Sequence, residues 1–135
     1  MWSCFNYCGS HIKNCKKMGL KISGIGDRGF LTDERIGFDV IKDCELKYYQ
    51  LFKTNFSETG FYNRAKAAYW FAPKKVKTGD KVIVYTKRGT DNFRINQDGT
   101  TIYWFYWGLD EPIFTDVNNG IVLAEINDWK LSKNF

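Results

Sequence analysis

The sequence predicts an all-β fold, either a sandwich or a small barrel, built as one domain. Three observations support this prediction. Short segments rich in β-branched and aromatic residues recur along the chain, separated by turn formers every ~8–15 residues. Aromatic residues make up 18% of the chain. No amphipathic helical pattern of about ten residues or more occurs.

The first half of the chain contains three predicted strands. Residues 20–26 form a short strand that ends in glycines and leads into a turn at 27–29. Residues 32–41 alternate between apolar and polar side chains, so we expect a strand whose buried face carries Ile36, Phe38 and Val40. Residues 45–53 also alternate, with Leu46, Tyr48 and Phe52 on one face and Tyr49 and Leu51 on the other. A polar connection follows at 54–64 and has its bend at Gly60.

The middle of the chain contains the clearest strand. Residues 65–72 permit a helical turn, but the aromatic residues before Pro73 favour an extended end. A basic connection then leads into the strand at 81–87, where Val82 and Val84 share a face. Residues 88–99 are interpreted as a polar loop that brings the chain back. We therefore expect the strands at 81–87 and 101–107 to pair antiparallel.

The end of the chain contains one more predicted strand. Residues 109–117 are interpreted as a loop, and Asn119–Gly120 as a hairpin-type turn. The last strand, at 121–126, is expected to point Val122, Ala124 and Ile126 inward.

The segment from Thr101 to Gly108 contains five consecutive aromatic residues. In a strand, Ile102, Trp104 and Tyr106 point to one side and Tyr103, Phe105 and Trp107 to the other. Two apolar sides are typical of a central strand that other parts of the protein cover on both faces, or of a strand with one aromatic face open to a ligand. We favour core filling for these rings, with a ligand platform as the alternative.

Charge is distributed unevenly around a net value of +5. From Arg64 to Arg88 the chain carries eight basic residues and one acid, whereas from Asp91 to Asp128 it carries seven acids and one basic residue. A split of this kind can give a basic patch that attracts phosphate or an acidic partner. The alternative is that these charges lie on solvated loops and strand edges.

The candidate binding surface combines the basic stretch with the aromatic strand. Aromatic rings would stack on bases or sugars, either from the side of the strand that carries Phe105 or from its opposite side. The cations would contact phosphates. The candidate residues are Arg64, Lys66, Lys74, Lys75, Lys77, Lys87, Arg88, Tyr103, Phe105 and Trp107.

Residues 1–17 differ from the rest of the chain, because they hold three of the four cysteines and the single histidine. We expect them to be a tail of uncertain order, or sequence upstream of the true start, and residues 18–135 to form the domain. Cys4, Cys8, His11 and Cys15 suit tetrahedral zinc by residue type, but their spacing departs from the usual pattern. We therefore expect free thiols, no bound metal and no cofactor.

Neither catalysis nor membrane insertion is predicted. No nucleophile-histidine pattern, zinc-protease motif or P-loop occurs, so we expect no enzymatic activity. An enzyme that acts through two converging surface carboxylates is an alternative, which would require raised pKa values. No signal peptide or apolar span is recognisable, and we expect a soluble, cytoplasmic protein.

The order of elements resembles the lamin tail domain family over about residues 34–131. Four segments carry the resemblance: ERIGFDVIKDCELKYYQLF, YWFAPKKVKTGDKVIVYTKRG, TIYWFYWGL and GIVLAEINDWKL. The corresponding positions are Asp43 with Leu46, Thr78 to Asp80, Trp104 or Trp107, and Asn119–Gly120. The family's Ser-Gly-Trp is here Lys47-Tyr48-Tyr49. The resemblance implies an immunoglobulin-like antiparallel β-sandwich of about six to eight strands that serves as an interaction module for protein or DNA.

We therefore expect a non-catalytic binding module that contacts nucleic acid or an acidic protein through a basic surface. One alternative is a small PUA-like barrel that binds nucleic acid, because VKTGDKVIVYTK and GIVLAEI resemble segments of such domains. That fold would show a deep, aromatic-walled pocket. A second alternative is a structural or assembly protein, such as a phage or virion component.

Overall fold

The computed structural model describes residues 17–133 and the backbone of a two-residue strand at Trp2–Ser3. One short 3₁₀ helix, Leu46–Tyr48, occurs in this part of the chain. The strands are β1 (Trp2–Ser3), β2 (Leu20–Gly26), β3 (Arg35–Val40), β4 (Cys44–Glu45), β5 (Tyr49–Asn55), β6 (Gly60–Phe61), β7 (Ala67–Trp70), β8 (Lys75–Val76), β9 (Lys81–Tyr85), β10 (Asn92–Ile95), β11 (Thr101–Tyr106) and β12 (Asn119–Glu125).

Two sheets pack against each other as a sandwich, which confirms the predicted fold class. One sheet has five strands in the order β10-β11-β9-β3-β2, and the other has three in the order β12-β5-β7. Two smaller pairs, β1 with β6 and β4 with β8, lie beside them. The part of the chain described contains no helix long and apolar enough to cross a membrane.

The core lies between the two sheets. Ile36, Phe38 and Val40 of β3 are buried, as expected. Tyr49 and Leu51 of β5 are buried opposite them. The buried core residues are Leu20, Ile36, Phe38, Val40, Leu46, Tyr49, Leu51, Phe71, Val76, Val82, Val84, Phe105, Phe114 and Ile121.

The predicted antiparallel pairing of residues 81–87 with 101–107 is wrong, because β11 runs parallel to β9. The segment interpreted as a polar loop contains β10, which forms the sheet edge and pairs antiparallel with β11. A turn at 96–100 connects β10 to β11, and β11 then lies between β10 and β9 in the sheet. In this turn the N–H of Asn96 donates to the carbonyl of Thr100 at 2.8 Å. β10 alternates Phe93 and Ile95 with polar residues, but it is exposed throughout and its four residues are the shortest run for which alternation predicts a strand.

The last strand presents the opposite face from the one predicted. Leu123 pairs with Leu51 across β12 and β5, and directly opposite residues share a face. Ile121 and Leu123 therefore face the core, while Val122 and Ala124 point away from it. Asn119 and Gly120 begin this strand instead of forming a hairpin turn. The turn lies just before them, where the N–H of Asn119 donates to the carbonyl of Asp116 at 3.0 Å.

Two other elements differ in detail from the prediction. The strand predicted at 45–53 begins only at Tyr49, because Leu46 and the two residues after it form the 3₁₀ turn. The N–H of Leu46 donates to the carbonyl of Lys74 at 2.9 Å, which ties this turn to the basic connection. The ambiguous segment at 65–72 is extended and contains β7.

A buried carboxylate joins three distant segments of the sandwich. Glu34 is 0% exposed and precedes β3. It accepts hydrogen bonds from the hydroxyl of Thr86 at 2.6 Å and from the N–H of Ile113 at 2.8 Å through one oxygen. Its other oxygen accepts the N–H groups of Gly29 at 2.8 Å and Phe114 at 3.1 Å. Every lone-pair direction of the carboxylate thus meets a donor, which is what a buried charge requires.

Candidate functional site

The aromatic strand β11 has two faces with different surroundings. Phe105 is 6% exposed, and its ring meets that of Phe71 edge to face at 5.7 Å between centroids. Tyr103 and Trp107 are half-buried and pack against the same core. This side of β11 is core filling, the interpretation favoured above. Phe105, predicted as a binding residue, is inaccessible to a ligand in this structure.

The side of the five-stranded sheet that faces away from the core, here called the outer face, collects side chains from all five strands. Directly opposite residues share a face, so the pairing register sorts them into three rows across the sheet. The first row is Lys21, Asp39, Lys81, Ile102 and Arg94. The second is Gly24, Gly37, Ile83, Trp104 and Asn92. The third is Gly26, Arg35, Tyr85 and Tyr106.

Three aromatic rings lie on the outer face, and cations lie over two of them. The rings of Tyr85 and Tyr106 stack with 5.5 Å between centroids and an interplanar angle of 14°. The Nζ atom of Lys87 lies 5.0 Å from the centroid of Tyr85. The guanidinium carbon of Arg94 lies 5.6 Å from the centroid of Trp104. All three rings are half-buried. This face therefore presents flat π surfaces together with positive charges.

The connection between β9 and β10 holds Tyr106 in place. Gly89 lies so close to the Tyr106 ring that a Cβ atom at this position would overlap it. The N–H of Tyr106 donates to a carboxylate oxygen of Asp91 at 3.1 Å. A glycine is needed at position 89 for this close approach, and the tyrosine pair is thereby oriented.

The first row of the outer face is mainly basic. Lys81 pairs with Asp39 at 3.0 Å. Within residues 17–133, no carboxylate lies within ion-pair distance of Lys21, Lys87 or Arg94. Beside the rings, the glycines of the second row leave a shallow open depression of about 310 Å³ next to Ile83. The outer face can thus accept an anionic, flat-ringed ligand without rearranging the backbone.

The predicted basic residues do not form one surface with these rings. Lys77 precedes β9 and Lys87 follows it, and a five-residue strand spans about 17 Å. Arg88 is paired with Asp110 at 2.8 Å. Of the predicted cations, only Lys87 contacts a ring of the outer face, while Lys74 lies 5.9 Å from the Tyr103 centroid on the other side of β11. The remaining predicted cations are exposed on or beside β7 and β8: Arg64, Lys66, Lys75 and Lys77.

Three exposed carboxylates, Asp43, Asp98 and Asp110, have lowered pKa values. The N–H and hydroxyl of Thr78 donate to Asp43 and hold the pKa of that carboxyl below its usual value. Thr100 does the same for Asp98, and Arg88 for Asp110. These shifts are opposite to the raised pKa that a general acid needs at neutral pH. The contacts that cause the shifts hold turns and loop ends in place.

Replacing Thr78 with valine is expected to raise the pKa of Asp43 toward its ordinary value of 3.8. The backbone N–H of residue 78 would still donate, so part of the lowering should remain. A lowered pKa in the folded state adds stability above pH 3.8, and this stability is lost as the pH falls through the folded-state value. The measurement is an NMR titration of the side-chain carboxyl carbons. Asp98 is the internal control and should not shift; an unchanged Asp43 midpoint contradicts the assignment.

A second depression, of about 420 Å³, lies between β4 and the end of β12. There the Tyr49 hydroxyl donates to Glu125 at 2.6 Å and accepts the N–H of Gly19 at 2.9 Å. Burial raises the pKa values of both the Cys44 thiol and the Tyr49 hydroxyl. Both groups are therefore protonated at neutral pH, which suits a structural contact.

The zinc-type pattern of Cys4, Cys8, His11 and Cys15 lies outside the described residues. Among those that are described, no group of three or more possible metal ligands comes together. Cys44 is a free thiol.

Sequence reasoning identified Trp104 and Tyr106 as one side of β11 and paired this strand with residues 81–87, but in the antiparallel direction. Tyr85 joins them only because β9 is parallel to β11, and Arg94 only because β10 exists. The usable signal was the alternation Lys81-Ile83-Tyr85, which places one cation and one ring on the face opposite Val82 and Val84.

Comparisons of the chain with models of protein families, with curated proteins and with solved structures find no match. The resemblance to the lamin tail domain family therefore stays a prediction that depends on the sequence pattern alone.

Proposed function

We propose that this chain is a non-catalytic binding module that contacts nucleic acid through the outer face. The observation that supports it is the placement of cations over aromatic rings on a sheet surface that faces away from the core. Phosphates attract lysine and arginine, and bases and sugars offer flat surfaces to aromatic rings. An acidic protein would use the cations alone, so the rings favour nucleic acid over that partner.

Binding that depends on phosphate contacts must weaken with salt. If two to three phosphates are neutralised, the affinity for a single-stranded probe is expected to fall about tenfold between roughly 50 and 200 mM salt. Fluorescence anisotropy with a labelled 12-mer oligonucleotide measures this, and polyglutamate serves as the acidic-polypeptide competitor. Absence of binding at the lower salt concentration removes the nucleic-acid proposal, and preferential binding of polyglutamate replaces it with an acidic partner.

Charge reversal can locate the contact surface. The double substitution Lys21→Glu and Arg94→Glu, at the two ends of the first row of the outer face, is expected to weaken binding at least about tenfold. Arg64→Glu with Lys66→Glu makes the same change in net charge beside β7 and is the matched control. If the control loses binding and the outer-face variant keeps it, the basic stretch from Arg64 to Arg88 is the contact surface instead.

A role in assembly is the second candidate function, and the edge strand β10 favours it. Phe93 and Ile95 are 59% and 66% exposed on the side of β10 that carries Tyr103 of the neighbouring strand. An exposed apolar edge strand is a common site for pairing with another chain. Sedimentation velocity tests this function. A fixed oligomer that dissociates on Phe93→Lys substitution supports assembly, and a monomer at all concentrations opposes it.

The PUA-like alternative receives no support from the geometry. That fold would have a deep, aromatic-walled pocket in place of a filled core, yet the space beside Phe105 is filled by packed side chains that include Phe71.

A further inference from the structure

We infer that the nucleic acid bound by the outer face is single-stranded, with its bases stacked on Trp104 and on the Tyr85–Tyr106 pair. This inference depends on the proposed function and specifies its ligand. It follows from the spacing of the rings, from their orientation and from the cations that now cover them.

The spacing of the rings suits an extended strand. Trp104 and Tyr106 are two residues apart on β11, which separates them by roughly 6.6 Å along the strand. Neighbouring bases in a duplex rise by roughly 3.4 Å per nucleotide. Bases that occupy both positions must therefore be drawn apart from one another. A single strand can extend in this way, whereas a duplex would first have to melt.

The orientation of the rings also favours exposed bases. The two tyrosine rings are stacked, with 14° between their planes, so the pair offers a base the outward face of the stack, on the Tyr85 ring beneath Lys87. Bases inside a duplex have both faces covered by their neighbours and cannot stack on such a surface. A duplex could contact the outer face only through its phosphates, and such contacts would not depend on the aromatic rings.

The cations over the rings can give way to bases. Arg94 is exposed and Lys87 is half-buried, and each covers a ring at 5.6 and 5.0 Å, respectively. An exposed cation–π contact is weaker than the stacking of a base on an aromatic side chain. On binding, each base would replace the cation on its ring, and the released side chain would move to the adjacent phosphate. The backbone would not need to move.

The experiment compares four probes of equal length with the full chain: a 12-mer of DNA, the same sequence as RNA, the blunt DNA duplex, and a DNA strand with abasic sites in its central half. Affinity for the two single strands is expected to exceed that for the duplex and the abasic strand by about tenfold or more. Equal affinity for duplex and single strand overturns the inference and leaves the proposed function standing. Loss of binding to all four probes overturns both.

Substitution of Trp104 tests the stacking position directly. Trp104→Ala is expected to weaken single-strand binding about tenfold while leaving duplex binding unchanged. Trp129→Ala, on an indole that is 44% exposed outside the five-stranded sheet, is the matched control and should bind as the unmodified chain does. Trp104→Phe keeps a ring and should retain most of the affinity, which separates stacking from a folding defect. An equal loss with duplex and single strand shows that Trp104 does not stack on bases.

Discussion

Replacing Glu34 with alanine is expected to lower the free energy of unfolding by about 3–5 kcal/mol, because each buried donor left without an acceptor costs about 1–3 kcal/mol. Four donors now meet this carboxylate: the hydroxyl of Thr86 and the N–H groups of Gly29, Ile113 and Phe114. The backbone donors cannot turn toward solvent without moving the segments that carry them. Equilibrium urea unfolding followed by far-UV circular dichroism measures the effect.

Two further variants make this prediction specific. Glu34→Gln keeps the shape but turns one oxygen into a donor, so we expect a smaller loss of about 2 kcal/mol. Glu58→Ala removes an equal charge from an exposed loop and should stay within about 0.5 kcal/mol of the unmodified chain. If Glu34→Ala is no more destabilising than Glu58→Ala, the carboxylate does not hold the three segments together.

The importance of Glu34 was invisible in the sequence for a physical reason. One partner lies 5 residues before it, and the other three lie 52, 79 and 80 residues after it. Nothing local distinguishes it from the acids of an exposed turn, since Asp33 beside it is solvent-exposed. Only the packing of the β2–β3 turn against the loop after β11 surrounds this carboxylate with donors.

Period-two alternation predicted well which residues share a face, and less well which face is buried. It predicted which residues of β3 and of β9 share a face, and the short strand predicted at 20–26 has the bounds observed for β2. For β12 the two faces are both apolar, so the inward one is decided by the partner strand β5. The candidate site shows the same limit. The rings of β11 were evident in the sequence, but their neighbours depend on sheet order, which a single strand pattern does not encode.

The two faces of β11 are expected to respond differently to truncation. Phe105→Ala removes a ring that is 6% exposed and touches Phe71, so it should cost about 3–5 kcal/mol of unfolding free energy. Trp104→Ala, on the outer face, should cost about 1–2 kcal/mol because part of the indole is already in contact with water. Urea unfolding of both variants in parallel measures this difference.

Binding should show the reverse order, because stability and recognition reside on opposite sides of one strand. Phe105→Leu fills most of the core space and is expected to cost no more than about 1.5 kcal/mol, leaving enough folded protein to assay. It should bind single-stranded oligonucleotide as the unmodified chain does, whereas the outer-face variant Trp104→Ala should bind about tenfold more weakly. A Phe105→Leu variant that folds but loses binding would show that the inner side of β11 takes part in recognition, and the division between the two faces would then be wrong.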